Sequence, residues 1–181
     1  KMTDIFAECS LDYDRTSDLA REFYATIQNK FHYAITKNTA AEIIYNRADS
    51  NKENMGLTNW KESPNGKILK SDVTIAKNYL SETELRNLNN VVNIFLDIAE
   101  DNAERNIPMY MKDWKKEVDI VLSVRHYDIL EGKGKISKKQ ADEKAENEYE
   151  KYKVIQDKKF ISDFDILMLE AENINKSKKD N

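Results

Sequence analysis

The chain is poor in the residues that cross-link or punctuate a fold. Its 181 residues include one cysteine, two prolines and four glycines. A single cysteine cannot close an internal disulfide, which excludes a disulfide-stapled scaffold. So little Gly and Pro, beside abundant Lys, Glu, Ala and Leu, argues against a turn-rich all-β barrel. No run of roughly 18 apolar residues exists, so no segment reads as a membrane span. No charged-then-apolar start reads as a signal peptide. A cytoplasmic protein without a membrane partner is expected. Charge of one sign is lacking too: 29 Lys and Arg face 33 Asp and Glu, a formal net of −4. The chain up to Gly132 is mildly acidic, and the rest, from Lys133, is nearly neutral. Neither part has the basic balance that drives phosphate binding by itself. Also missing are GxxxxGK[ST], HExxH and any Gly-rich phosphate loop. With one Cys and two distant His, His32 and His126, a zinc site is not expected. The chain opens on an internal-looking Lys1-Met2 and reads as a piece of a longer protein.

What is present is helical periodicity. The lead-in to Asp14 has none. Ser17 is a good N-cap and Asp18 suits the positive end of a helix. Leu19, Phe23, Ile27, Phe31 and Ala34 then recur in steps of four and three, which predicts an amphipathic helix to about Ile35. Thr39-Ala40-Ala41-Glu42 is a capping box opening a helix over Ala40 to Asp49. Residues 50–70 lose the period and hold Gly56, Pro64, Gly66 and four Asn. A loop of that length inside a compact domain is uncommon and usually functional. Within it, Lys67-Ile68-Leu69-Lys70 reads as a very short strand.

Ser71-Asp72 predicts a short helix through Tyr79. Ser81-Glu82-Thr83-Glu84 opens the longest helix, with Leu85, Leu88, Val92, Phe95, Ala99 and Ala103 on one face and Pro108 as its stop. Val91, Ile94 and Ile98 widen that face, which predicts a central helix. Met111, Trp114, Val118, Val121, Leu122 and Ile129 mark the next helix, stopped by Gly132 and Gly134. Ser137-Lys138-Lys139-Gln140 caps an exposed, charge-alternating helix to about Lys153, supported by a Lys144–Glu148 pair. Its apolar line is Ala141, Ala145 and Tyr149. An apolar cluster follows at Phe160 to Leu169, and then a tail from Asn173 to Asn181 expected to be disordered. The expected fold is mainly α: one domain of about six helices over 1–155, with a long loop at 50–70. A short helical segment and disordered tail fill 156–181.

Three polar clusters carry possible chemistry. Residues 28–60 mix Gln28, His32, Thr39, Glu42, Tyr45, Asn46, Arg47, Asp49, Asn54, Thr58 and Trp60. Such a mixture suits a hydrogen-bonded site; the competing reading is a capping network that pins the long loop. On a helix, Lys70, Thr74, Lys77 and Asn78 would lie close enough to hold a phosphate oxygen, against a plain solvated face. Asp97, Glu100, Asp101 and Glu104 share a helix face that suits Mg²⁺, or the wet side of an amphipathic helix. Met109-Tyr110-Met111 and Trp114 are expected in the core.

Several longer words go together. They are Tyr13-Asp14, the run from Phe23 to Ala34 (FYATIQNKFHYA) and the run from Thr39 to Asp49 (TAAEIIYNRAD). Asn54 to Trp60 (NMGLTNW), Lys70 to Leu80 (KSDVTIAKNYL) and Pro108 to Trp114 (PMYMKDW) complete them. Over residues 5–150 these resemble the C-terminal part of the bacterial virulence-associated RhuM family. The resemblance implies a protein of pathogenicity islands and mobile elements. It also implies an N-terminal region, similar to a winged-helix or phage-antirepressor DNA-binding module, that this chain does not include. Related proteins join that region to a Fic/Doc domain, which implies an exchangeable effector half. Two departures matter. Some relatives carry histidines where this chain has Thr36 and Asn38, so a metal site built on them could not form. The Fic signature, His-Pro-Phe followed by Gly-Asn and Arg, is absent, so Fic-type transfer is not implied.

Two functions follow. In one, this is an interaction or effector domain of a DNA-associated regulatory protein. It would form a homo-oligomer or bind a protein partner through residues 137–153 and 160–169. In the other it is a toxin-like enzyme acting on nucleic acid or nucleotides. His32 would then be general base, and Glu42 and Asp49 would orient it or hold Mg²⁺ or Mn²⁺. Arg47, Asn54, Lys70, Lys77 and Asn78 would bind phosphate or ligand. The enzyme reading expects His32, Glu42, Arg47 and Lys77 to converge on one pocket.

Overall fold

The computed structural model describes residues 10–14 and 16–159, together with Asp165 and Met168. The expected short helix at 160–169 and the tail from Asn173 otherwise lie outside the described residues. The described residues form five α-helices: α1 (Asp18–Thr36), α2 (Ala40–Arg47), α3 (Glu82–Glu104), α4 (Met111–Val124) and α5 (Lys138–Lys159). There is no strand among the described residues, only an isolated bridge between Ser10 and Met109. None of the described helices is long and apolar enough to cross a membrane. The mainly α, single-domain expectation holds.

Each helix begins where a capping signal stands. Ser17 Oγ accepts from Ala20 N. Thr39 with Glu42, and Ser81 with Glu84, form reciprocal capping boxes. Ser137 and Gln140 exchange the equivalent bonds at α5. At α4, Asp113 Oδ2 accepts from the N-cap Tyr110 N at 3.1 Å, and Asp12 Oδ1 of the aperiodic lead-in accepts from Met111 N at 2.8 Å.

Helix α1 ends at Thr36, next to the expected Ile35, while the ends of α3 and α4 differ from expectation. Lys37, Asn106 and His126 adopt left-handed φ of 60°, 52° and 59°. Their turns close with Lys37 N on Tyr33 O, Ile107 N on Asn102 O and Tyr127 N on Leu122 O. These are the C-terminal stops usually built on glycine. So α3 ends before Pro108, and α4 ends at Val124, well short of Ile129 and Gly132. His126 is thereby a helix-ending residue. The expected helix from Ser71 to Tyr79 is instead a series of turns closing with a 3-10 turn over Ala76–Tyr79. The strand expected at 67–70 does not form.

Two apolar cores sit side by side. In the first, α1, α3 and α4 bury Phe23, Ile27, Phe31, Val91, Phe95, Trp114, Val118 and Leu122. Phe95 meets Phe31 and Trp114 edge-on, at 5.7 and 5.9 Å between ring centres. Trp114 Nε1 donates to Ser10 Oγ, so the buried indole keeps a polar partner. Tyr110, expected in the core, is exposed with Lys112 over its ring.

The second core is built by α2, the long loop and α5. Ile43, Ile44, Met55, Ile68, Val73, Tyr79 and Leu80 pack there against Ala141, Ala145 and Tyr149. Leu88 of α3 borders both cores. Helix α5, expected to be exposed, is docked along its expected apolar line of Ala141, Ala145 and Tyr149. Its narrow line of small residues lets α2 approach closely. It also runs to Lys159, beyond the expected Lys153. The expected Lys144–Glu148 pair is replaced by tertiary bonds. Lys144 Nζ donates to Tyr45 O near the end of α2, and Glu148 accepts from Ser50 N and Lys151 Nζ.

The loop at 50–70 is held by polar bonds to its neighbours. The buried Asp72 carboxylate accepts from Leu69 N and Lys61 N rather than capping a helix. Trp60 Nε1 donates to Gly66 O, Tyr79 Oη to Val73 O, and Thr58 Oγ1 to Leu80 O. Gln156 of α5 bonds both backbone groups of Ile68. Gly56, at φ 88°, lies so close to the end of α2 that a Cβ there would sit 2.3 Å from Arg47 O. Only glycine fits both the conformation and the space.

Candidate functional site

The cap at Thr39 turns the chain between α1 and α2, and α3 passes beneath them. Where these helices meet the turn at 74–77, a groove of about 630 Å³ opens. Its floor is Phe31, Ala40, Ala41, Ile44, Ala76, Leu88 and Val92. Around it stand Gln28, His32, Thr74, Lys77, Asn89 and Lys138. None of the bordering side chains is a carboxylate, although the chain is acidic overall. An apolar concavity of this size with a few polar groups around it has the form of a ligand site.

His32 is half-buried, and its Nδ1 is fully buried with no hydrogen-bond partner. Burial pushes its pKa down to about 4, because a charged imidazole would lose its water there. At neutral pH the ring is therefore uncharged. It suits donating or accepting a hydrogen bond better than collecting protons. Its groove neighbour Lys77 has an exposed side chain that makes no hydrogen bond or ion pair among the described residues.

The other expected residues lie elsewhere. Glu42 borders a second, polar cleft of about 710 Å³ with Tyr33, Lys37, Asn38, Lys133 and Lys135. There it accepts from Thr39 N and Lys135 N, at 2.8 and 2.7 Å. Burial raises its pKa, but those donors outweigh burial and leave it below the ordinary value. Arg47 forms a two-pronged pair with Glu84, both contacts 2.7 Å, and also donates to Tyr79 O. That pair holds Glu84 at about 2. Asp49 accepts from Asn51 N in a local turn, which lowers its pKa. It borders a third, smaller cleft with Glu148 and Lys151. Asn54 occupies a left-handed position at φ 50° in the long loop. Lys70 pairs with Glu146 of α5 at 3.0 Å. Asn78 is buried, with its Nδ2 on Asp72 O and its own carbonyl accepting from Thr58 and Asn59.

His32 and Lys77 thus share a groove, while Glu42 and Arg47 face different surroundings. Among the described residues no group of three or more His, Cys, Asp or Glu is placed to hold a metal ion. Asn89 and Lys138 were not singled out in sequence. Asn89 follows Leu88 and precedes Val92 by one helical turn. That spacing puts it at the edge of the apolar face, the only signal available.

No curated protein and no solved structure matches the chain. The model of one family, the virulence protein RhuM family, matches residues 1–161. With nearly the whole chain matched, and with the words from Phe23 to Trp114 falling inside the match, the chain belongs to the virulence protein RhuM family.

Proposed function

We propose that this chain is an interaction domain of a DNA-associated bacterial protein, working in the cytoplasm through a second copy or a protein partner. The observation that carries this is the commitment of the ionisable groups. Glu42 is tied by backbone donors, Arg47 by Glu84 and Lys70 by Glu146. These bonds hold elements together and leave few of the expected acid–base and phosphate-binding groups for a substrate. The contact surface is the outer face of α5 and its last turns. Its inner face is consumed by α2, but Val154 and Ile155 are exposed by 56% and 41%. Two apolar side chains beside alternating Lys and Glu give a surface with both area and charge pattern.

Light scattering over a range of protein concentrations tests this, with Val154→Asp/Ile155→Asp as the comparison. Self-association, or binding of a co-expressed partner, should be lost in the variant while its helical circular dichroism stays unchanged. A strict monomer that recovers no partner contradicts the proposal.

The alternative is a toxin-like nuclease or nucleotide-acting enzyme. One observation favours it: His32 and Lys77 border the same groove. A base with a pKa of about 4 is weak at neutral pH. No carboxylate borders that groove to orient the imidazole.

A further inference from the structure

We propose that the groove between α1, α2 and α3 is a binding site for a small organic anion with an apolar body, such as a medium-chain or aromatic carboxylate. The site stands whether the chain acts as an interaction domain or as an enzyme.

Three features define the ligand. The first is the floor. Phe31, Ile44, Leu88 and Val92 offer hydrocarbon, and the small residues Ala40 and Ala41 leave the space open. The volume of about 630 Å³ falls within the ordinary range for small-molecule sites. The second is charge. Two lysines and no carboxylate border the groove. Lys138 is paired with Asp142 at 2.8 Å, whereas Lys77 makes no ion pair among the described residues. An acid head at Lys77 gains a charge-assisted bond, and a cationic head meets two like charges. The third is His32. Its Nδ1 is closed off from the groove, so a ligand there would meet the exposed part of the ring. A neutral imidazole beside Gln28, Thr74 and Asn89 can bond a polar atom on the ligand without demanding charge. A fully apolar ligand would leave these groups unused. A polyanion would find too few cations.

The two histidines make the test direct. His32 borders the groove, and His126 lies at the far end of α4. Octanoate is titrated into the folded chain at pH 7 while the imidazole nitrogen signals are followed by NMR. The His32 signals should move saturably and those of His126 should stay. Octylammonium, with the same tail and opposite charge, should bind at least about tenfold more weakly. Lys77→Gln, on an exposed side chain, should weaken octanoate by a similar factor at an unchanged melting temperature. Saturable shifts at His126 alone, equal binding of octylammonium, no binding up to tens of millimolar, or an unaffected Lys77→Gln protein would each overturn the assignment.

Discussion

At the scale of single residues, two half-buried ionisable groups, His32 and Glu84, contribute to the pH response. His32 has a folded pKa of about 4, below its ordinary 6.5. The unfolded chain therefore takes up a proton before the folded chain does. Stability is fully present above pH 6.5 and is lost as pH falls toward 4. The full shift corresponds to about 3 kcal/mol. Urea unfolding at pH 7, 5 and 4 should show wild type losing that much more than His32→Gln. Equal losses would mean that the imidazole is not held neutral by burial. Glu84, held at about 2 by Arg47, acts in a lower window. Its contribution is present above pH 4.5 and fades as pH falls toward 2. Arg47→Ala should cost about 2–3 kcal/mol, because it leaves a half-buried carboxylate and the Tyr79 carbonyl without their donor. Arg47→Lys should recover only part of this, since an ammonium lacks the fork that meets both oxygens. Full recovery in the same unfolding experiment would show that charge alone matters.

At the scale of elements, the close approach of α5 to α2 rests on small side chains. Ala141 and Ala145 are fully buried. Ala145→Leu should destabilise by about 1–3 kcal/mol through overpacking. Amide hydrogen exchange should show protection lost first in α5 and in residues 66–69, which Gln156 and Asp157 hold. A uniform loss across all helices would contradict separate packing of the two cores. Gly56→Ala should also destabilise, by more than about 1 kcal/mol, since both φ and the Arg47 carbonyl oppose a Cβ.

The same elements explain what could be read in advance. Helix starts were legible because Ser17, Thr39, Ser81 and Ser137 carry their capping chemistry locally. The end of α1 near Ile35 was legible too, but those of α3 and α4 were not, because Asn106 and His126 do the work usually given to glycine and their sequence gives little sign of it. The segment from Ser71 to Tyr79 has a helical pattern, yet Asp72 and Asn78 turn inward to bond the loop, and tertiary bonding overrides local preference. At the site, His32 and Lys77 were legible by residue type. Their separation from Glu42 and Arg47 was not. It depends on Glu84 and Lys135, which reach those residues from distant parts of the chain.

At the scale of the whole molecule, two small cores joined at Leu88 leave a groove on one side and the outer face of α5 exposed. Both features suit recognition, and Glu42, Arg47 and Lys70 are engaged in holding elements together, whereas His32 and Lys77 are not. The proposed function is therefore binding, with a cleaving enzyme as its alternative. The most direct measurement is incubation of the purified chain with labelled single- and double-stranded DNA and RNA, with Mg²⁺ or Mn²⁺ and with chelator. The account predicts intact substrates under every condition, for wild type and for His32→Ala alike. Metal-dependent cleavage by wild type that disappears in the folded His32→Ala protein would contradict it.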